Sequence, residues 1–311
     1  MYIGIEQKKQ KVKKSQIVFL NNFLVNLQSP DMKKYVLIIV FFISANLLSA
    51  GNIDTIQYPE LNKTYLKSYY YDSRDFVISP IKWGKRQFIE FGVVTGATLV
   101  AFTQDVKIWN YFTEHQSQTA DNLSKYIFEP FGDIKVSSVL IGGLYLGGRL
   151  AKDKRLAGTS LTAAKSLIVS AVCAQITKQL THRHYDEETG QPVWDGPVSD
   201  SKYSSFPSGH ATVAFSFASV FAMEYKSTIW VPVLMYTLAT GTAIERLYNN
   251  DHWASDVVVG AALGFVTGRF MWKQSRKSNN RLVILPSASI RSASVTCLLR
   301  LAQPKKHQAS F

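Results

Sequence analysis

Six runs of apolar residues, at 88–102, 136–150, 161–180, 211–225, 229–247 and 255–272, constrain the fold of this chain more than any other feature. Each reads as a helix. Gly92, Gly96, Gly142, Gly143, Gly147, Gly148, Gly260 and Gly264 punctuate three of them and leave room for close contact between helix backbones, as in membrane bundles, although a soluble helical core could use them too. Most runs are short for a bilayer, and Glu90 and Lys165 interrupt two. With 311 residues and 46% apolar content, the chain can bury one large core, and nothing divides it into two independent domains. The expectation is an all-α fold, a helical bundle of about six core helices.

Chemistry gathers at the edges of these helices. Phe206-Pro207-Ser208-Gly209-His210 lies where a loop gives way to the apolar stretch 211–223, so the backbone N–H groups of Ser208, Gly209 and His210 can point at an anion from a helix N-terminus. Downstream, Arg246 is followed after five residues by His252 and after three more by Asp256. The i,i+4 spacing of His252 and Asp256 puts both on one helix face, where the carboxylate accepts one ring N–H and leaves the other nitrogen free to attack. Arg246 supplies a planar fork of donors that matches phosphate geometry. Taken singly, each feature has an ordinary explanation: a solvated surface pair, a capped turn, an arginine at a helix C-terminus. Both motifs in this order and spacing, each at the edge of an apolar helix, point instead to a phosphate pocket with a nucleophile.

These residues resemble the second and third signature motifs of the type 2 phosphatidic acid phosphatase family, which includes bacterial acid phosphatases and vanadium haloperoxidases. The resemblance covers roughly residues 88–272. One position departs from it: Glu245 stands where the family has Ser, beside the phosphate-binding Arg246. The family's first motif, a Lys followed six residues later by Arg-Pro, is matched at Lys178, but Tyr185 and Asp186 occupy the Arg-Pro positions and Arg183 comes two residues early. On a continuous helix, residues five apart diverge by about 140°. Either a short deletion lets Arg183 swing back into the pocket, or Arg183, with His182 and His184, is a solvated basic helix end.

The resemblance implies a helical-bundle phosphatase acting on phosphate monoesters or pyrophosphates. In that reading His252 attacks phosphorus to form a phosphohistidine, Asp256 orients and charges it, and His210 protonates the leaving oxygen. Lys178, Arg246, Ser208 and Gly209 hold the phosphoryl oxygens, with Arg183 as a helper. No metal and no cofactor is called for, since no Cys and His cluster has zinc-ligand spacing and no dinucleotide or Walker loop appears. Two rivals share the pocket: a vanadate-dependent haloperoxidase, and a noncatalytic phospholipid-binding envelope protein suggested by the altered Lys178 region and by Glu245.

The formal charge of +13 and pI near 9.6 suit an anionic partner. The basic residues do not form one amphipathic strip and no nucleic-acid motif is present, so nucleic acid is not expected. The cations cluster at 8–14, 152–155, 273–277 and 305–306, between apolar segments, which fits a membrane and phosphorylated lipid, or a small phosphate ester, as partners. Met32-Lys33-Lys34, the apolar run 35–43 and the small residues Ser44, Ala45, Ser49, Ala50 and Gly51 have the order of a secretory signal peptide, or of an uncleaved N-terminal anchor. The expected organisation is an upstream extension at 1–31, the signal or anchor at 32–51, a lead-in at 52–87, the phosphatase domain at 88–272 and a tail at 273–311. Export to the cell envelope follows. If all six runs cross a membrane, the loops bearing the motifs share the side opposite the basic loops, which places the site outside the cytoplasm. A cleaved signal with six crossings contradicts that arrangement, so some helices would have to lie in the interface or in a periplasmic bundle. Cys173 and Cys297 make no disulfide framework. The polar loop 181–206 reads as an active-site wall rather than a hairpin.

Overall fold

The expected runs become helices with small shifts of boundary. A computed structural model of the chain describes residues 57–186, 189–197 and 204–277, and the backbone of 283–289 and 292–298. The extension and signal readings at 1–51 fall outside the described residues. In chain order the helices are α1 (Lys63–Val77), α2 (Lys85–Glu114), α3 (Gln118–Leu123), α4 (Glu129–Gly132), α5 (Ile134–Leu150), α6 (Lys154–Thr181), α7 (Gly209–Glu224), α8 (Trp230–Tyr248) and α9 (Ala254–Lys277), with a short 3₁₀ turn at Ser79–Lys82 and a π turn at Ser124–Phe128. Two antiparallel strand pairs complete it: β1 (Arg183–Tyr185) with β2 (Pro192–Trp194), and β3 (Val283–Ser289) with β4 (Ser292–Leu298).

Four differences from the sequence expectation have physical reasons. Helix α2 runs to Glu114, well past the apolar stretch, because its polar continuation packs Asp105 inward. Helix α6 starts at Lys154 because Asp153 caps it, accepting from the Leu156 N–H at 3.0 Å. Helix α1 arises in the stretch taken as a lead-in: Asn62 caps it, and its Asp72 receives Lys165 at 2.6 Å, so the lysine that interrupts the α6 run has a partner. The loop 181–206, expected to form no hairpin, pairs Arg183 with Trp194, His184 with Val193 and Tyr185 with Pro192. Strands of three residues are too short to show a period of two.

Helix α7 is the centre of the bundle. It is apolar all round, as a helix covered on every side must be, and packs on α6, α8 and α9 with Phe217 and Phe221 stacked at 4.7 Å. Its contact with α9 depends on Gly260, Gly264 and Gly268, where an added Cβ would collide with the backbone of Ser208, Thr212 and Ser216. Gly148 does the same for Ala157 between α5 and α6. Gly92, Gly96, Gly142, Gly143 and Gly147 face open space, so only part of the glycine pattern serves helix contact within the chain.

At the end of the bundle away from the motifs, Glu224 of α7 accepts from Arg155 of α6 at 2.9 Å, from Trp272 of α9 at 2.8 Å, and from Arg276 of α9. Among the described residues, two helices, α6 and α9, are long and apolar enough to cross a membrane. Helix α7, at 16 residues, rises about 24 Å, short of a hydrocarbon core of about 30 Å.

Candidate active site

The first turn of α7 is built to leave donors open. Ser208 is its N-cap; the hydroxyl accepts from the Ala211 N–H at 3.4 Å, and the Ser208 carbonyl takes the Thr212 N–H at 3.1 Å. The Ser208 N–H is not available to an anion, because it donates to the Asp256 carbonyl at 3.0 Å. The N–H groups of Gly209 and His210 find no acceptor among the described residues, and the helix dipole adds to them. The Ser208–Asp256 bond ties the start of α7 to the start of α9, an approach that Gly260 makes possible.

Asp256 sits in the first turn of α9, while His252 lies two residues before that helix begins. The two therefore do not share a helix face as the spacing suggested. They meet because Asp256 folds back as a cap, accepting the Trp253 N–H at 3.1 Å on the same Oδ2 that faces His252 Nδ1 at 3.6 Å. That separation is an ion-pair contact longer than a hydrogen bond, and His252 Nδ1 has no other partner. Catalytic hydrogen bonds are often long in the empty site and tighten around substrate.

Around this pair the structure gathers Lys178, His210 and Arg246. Lys178, in the last turn of α6, donates to the Ser204 and Ser205 carbonyls at 2.5 and 3.2 Å, holding the approach to Phe206. Burial and the charge of Arg246, with weaker contributions from His252 and Lys178, lower the His210 pKa to about 4. Burial, with Lys178 and Arg246 adding to it and Asp256 opposing it, also holds the His252 imidazole below its ordinary value. Both rings are therefore neutral at pH 7, which leaves each a nitrogen lone pair, and an anion held beside His210 would offset the cations that lower its pKa.

Arg246, at the end of α8, is already occupied. Its Nε donates to Glu245 Oε2 at 2.6 Å, a second donor meets Glu245 Oε1, and its Nη1 lies 3.1 Å from Asp251 Oδ2. Glu245 is buried and is further held by Asn249 at 2.6 Å and by Ser124 at 3.3 Å.

Arg183 is neither on the surface nor at a helix end. With 0% exposure, it donates to Ser255 Oγ at 2.6 Å, to Asp256 Oδ1, and to Asp105 Oδ2 of α2 at 2.6 Å. Phe102, Trp194 and Trp253 surround its guanidinium at 5.0, 4.8 and 5.6 Å. Sequence reasoning missed Asp105. Its only signal was a carboxylate within a helical stretch, and its partner lies 78 residues away. Trp109 stacks on Tyr185 at 4.9 Å and lies 4.7 Å from Trp253, fixing the β1–β2 hairpin beside the site. No group of three or more His, Cys, Asp or Glu with metal-site geometry occurs among the described residues. A cavity of about 1520 Å³ lies at the opposite end, lined by Lys82, Arg155, Lys165, Arg269 and Lys273 among others, and includes none of the motif residues.

Similar proteins carry the same region. Residues 159–280 match the PAP2 superfamily. The chain is 42% identical over 92 residues to a lipid A 1-phosphatase of Porphyromonas gingivalis, a match that covers 25% of this chain and 21% of that protein, so about a fifth of the relative's length is spanned. It is 28% identical over 143 residues to the Escherichia coli protein YbjG, named as an undecaprenyl-diphosphatase, covering 45% of this chain and 68% of that one. The crystal structure of Aquifex aeolicus LpxE superposes with a TM-score of 0.42 at 18% identity, over 54% of this chain and 94% of that one. Lys178, His210, Arg246, His252 and Asp256 all fall within the segment 159–280 that matches the PAP2 superfamily.

Proposed function

We propose that this chain is a phosphatase that hydrolyses a terminal phosphate monoester or pyrophosphate of a lipid through a phosphohistidine at His252. The observation that carries the reading is the convergence, at one end of the bundle, of the His252–Asp256 pair with His210, Lys178, Arg246 and the open first-turn N–H groups of α7. Lys178, Arg246 and the N–H groups of Gly209 and His210 would bind the phosphoryl oxygens, with the Ser208 hydroxyl acting through the cap rather than directly. A bound dianion offsets the cations that keep His210 neutral, so substrate itself raises the His210 pKa and turns it into the acid for the leaving oxygen. His252 attacks phosphorus as the ester bond breaks and His210 delivers its proton to the departing oxygen. Water, deprotonated by the now neutral His210, then cleaves the phosphohistidine.

The lipid assignment draws on the names of the relatives and on the outer faces of the bundle, where Phe88, Ile89 and Leu99 of α2 and Ile168, Val172 and Ile176 of α6 are exposed. The basic stretches 152–155 and 273–277 lie at the ends of α6 and α9 opposite the site, an asymmetry that favours an envelope location with the site outside the cytoplasm. The catalytic unit is taken as 88–272, with α1 as an added brace. Protein cations rather than a metal neutralise the phosphate, so the reaction is proposed to be metal-independent.

The test is a panel of lipid A 1-phosphate, undecaprenyl diphosphate, phosphatidic acid and a soluble phosphate ester, read by release of inorganic phosphate with and without EDTA. The wild type is expected to turn over at least one lipid, to be insensitive to EDTA, and to carry acid-labile, base-stable phosphate. His252→Ala should abolish both turnover and labelling, and Asp256→Asn should cost less. Full activity in His252→Ala overturns the mechanism. The sequestration of Arg246 by Glu245 favours a second reading, a noncatalytic phospholipid-binding protein, and phosphate release by no substrate on the panel would select it.

A further inference from the structure

We propose that Arg183 and Asp105 are positioning residues: with Ser255 they form a buried Asp105–Arg183–Asp256 ion-pair chain that fixes the Asp256 carboxylate against His252 and anchors the β1–β2 hairpin to the start of α9. This rests on the phosphatase reading above and goes beyond it. Both terminal nitrogens of Arg183 are spent on carboxylates, Nη1 on Asp256 and Nη2 on Asp105. Ser255 closes the chain: its N–H donates to Asp105 Oδ1 at 2.9 Å, its hydroxyl donates to Asp105 Oδ2 at 2.6 Å, and the same oxygen accepts from Arg183 at 2.6 Å. Residues from α2, β1 and α9 are thus locked in one network with no exposure to solvent. Asp256 is held through both oxygens, Oδ1 by Arg183 and Oδ2 by the Trp253 N–H, so its orientation toward His252 does not depend on the histidine.

The charges explain why a third carboxylate is needed. Without Asp105, Arg183 would place an unshared cation on Asp256 and weaken that carboxylate's hold on a positive imidazole. Without Arg183, two carboxylates would be buried around one serine with no counterion, which is costly in a dry interior. The titratable and charged groups around His252 and Asp256 are Lys178 from α6, Arg183 from β1, His210 from α7 and Arg246 from α8, with Asp105 of α2 behind Arg183. Arg183 Nε is buried and unpartnered. It is a donor through which a direct phosphate contact could run, so the experiment has to separate positioning from binding.

Asp105→Asn, Arg183→Gln and Arg183→Lys are compared with wild type in detergent, with Tm, kcat, KM, the inhibition constant of inorganic phosphate and the pH profile of kcat/KM measured for each. A positioning role predicts that Asp105→Asn and Arg183→Gln lower kcat by about 10- to 100-fold while the phosphate inhibition constant stays within about 2-fold. Arg183→Lys, which keeps the charge but not the fork, should recover part of kcat. Because Asp105→Asn leaves the Arg183 cation to Asp256 alone, Asp256 supports a positive imidazole less, protonation of His252 becomes harder, and the acid limb of kcat/KM should move to lower pH by about half a unit or more. A phosphate inhibition constant that rises in step with the loss of kcat/KM in the Arg183 variants makes Arg183 a ligand and overturns the proposal. So does an unmoved acid limb in Asp105→Asn, which keeps the side-chain shape and decides the matter alone if the Arg183 variants do not fold. Absence of phosphatase activity in wild type, or its persistence in His252→Ala, is a different result: it removes the phosphatase reading and this inference with it.

Discussion

Arg246 reaches the site with its donors turned toward Glu245 and Asp251, and the residue beside it decides how much of its charge a substrate meets. A serine at position 245 would offer one hydroxyl and leave the guanidinium fork open. The carboxylate takes two of its donors in a buried, bidentate contact, so a phosphate has to share or displace it. Glu245→Ser is therefore expected to tighten inorganic phosphate binding by about 5- to 10-fold, measured as a lower product-inhibition constant. The same change lowers the Tm in the absence of phosphate, because Arg246 loses its buried partner and Asn249 and Ser124 lose an acceptor. Unchanged or weaker phosphate binding would show that Glu245 orients Arg246 for substrate rather than competing with it. Nothing in the residue type at 245 revealed which way its carboxylate points. The motif spacing identified the departure, and the adjacent guanidinium in the folded chain shows its consequence.

At the scale of elements, the candidate site depends on one helix contact. Helices α7 and α9 start side by side, so that Ser208 N–H reaches the Asp256 carbonyl, and the glycine stripe of α9 keeps the two backbones close along their length. Gly264→Val would drive a branched side chain into the Thr212 carbonyl, and overpacking of this kind costs about 1–3 kcal/mol, occasionally more. The Tm should fall by several degrees, and kcat should fall with it, since the dyad and the first turn of α7 are displaced together. Gly142→Ala, where a Cβ meets open space inside helix α5, should leave activity unchanged and raise the Tm slightly, because it removes about 0.5–1 kcal/mol of glycine penalty. Equal effects from the two substitutions would rule out the glycine contact as the determinant. Both glycines sit in apolar runs of the same appearance. Periodicity marks them as helical, and only the packing of α7 on α9 distinguishes the one that matters.

For the whole molecule, the two ends of the bundle have different tasks. One end carries His210, His252, Lys178 and Arg246; the other is closed by Glu224 with Arg155, Trp272 and Arg276, beside a cavity whose lining includes Lys152, Lys154, Arg155, Arg269 and Lys273. Between them, exposed Phe88, Ile89, Phe91 and Leu99 on α2, with Ile168, Val172 and Ile176 on α6, form apolar outer faces. The protein is expected to stay with the membrane fraction through an alkaline carbonate wash and to leave it only in detergent. Release by carbonate alone would show that these faces are covered by protein and that the bundle lies on a membrane instead of in it.

Much of this was determined by the sequence alone. The six helices of the bundle follow from apolar runs and their caps, because helix formation is governed by residues three and four apart. The roles proposed for His210, Arg246, His252 and Asp256 were legible in motifs whose members lie within about ten residues of each other. What only the tertiary structure decided is pairing across long separations. Lys165 finds Asp72, Arg183 finds Asp105 and Asp256, and the hairpin 183–194 closes against α2 through Trp109 and Phe102. No local pattern encodes these contacts. A buried charge is stable only where the whole fold brings its counterion, and which segments meet is set by packing three helices around α7, a property of the assembled core and not of any stretch of the chain.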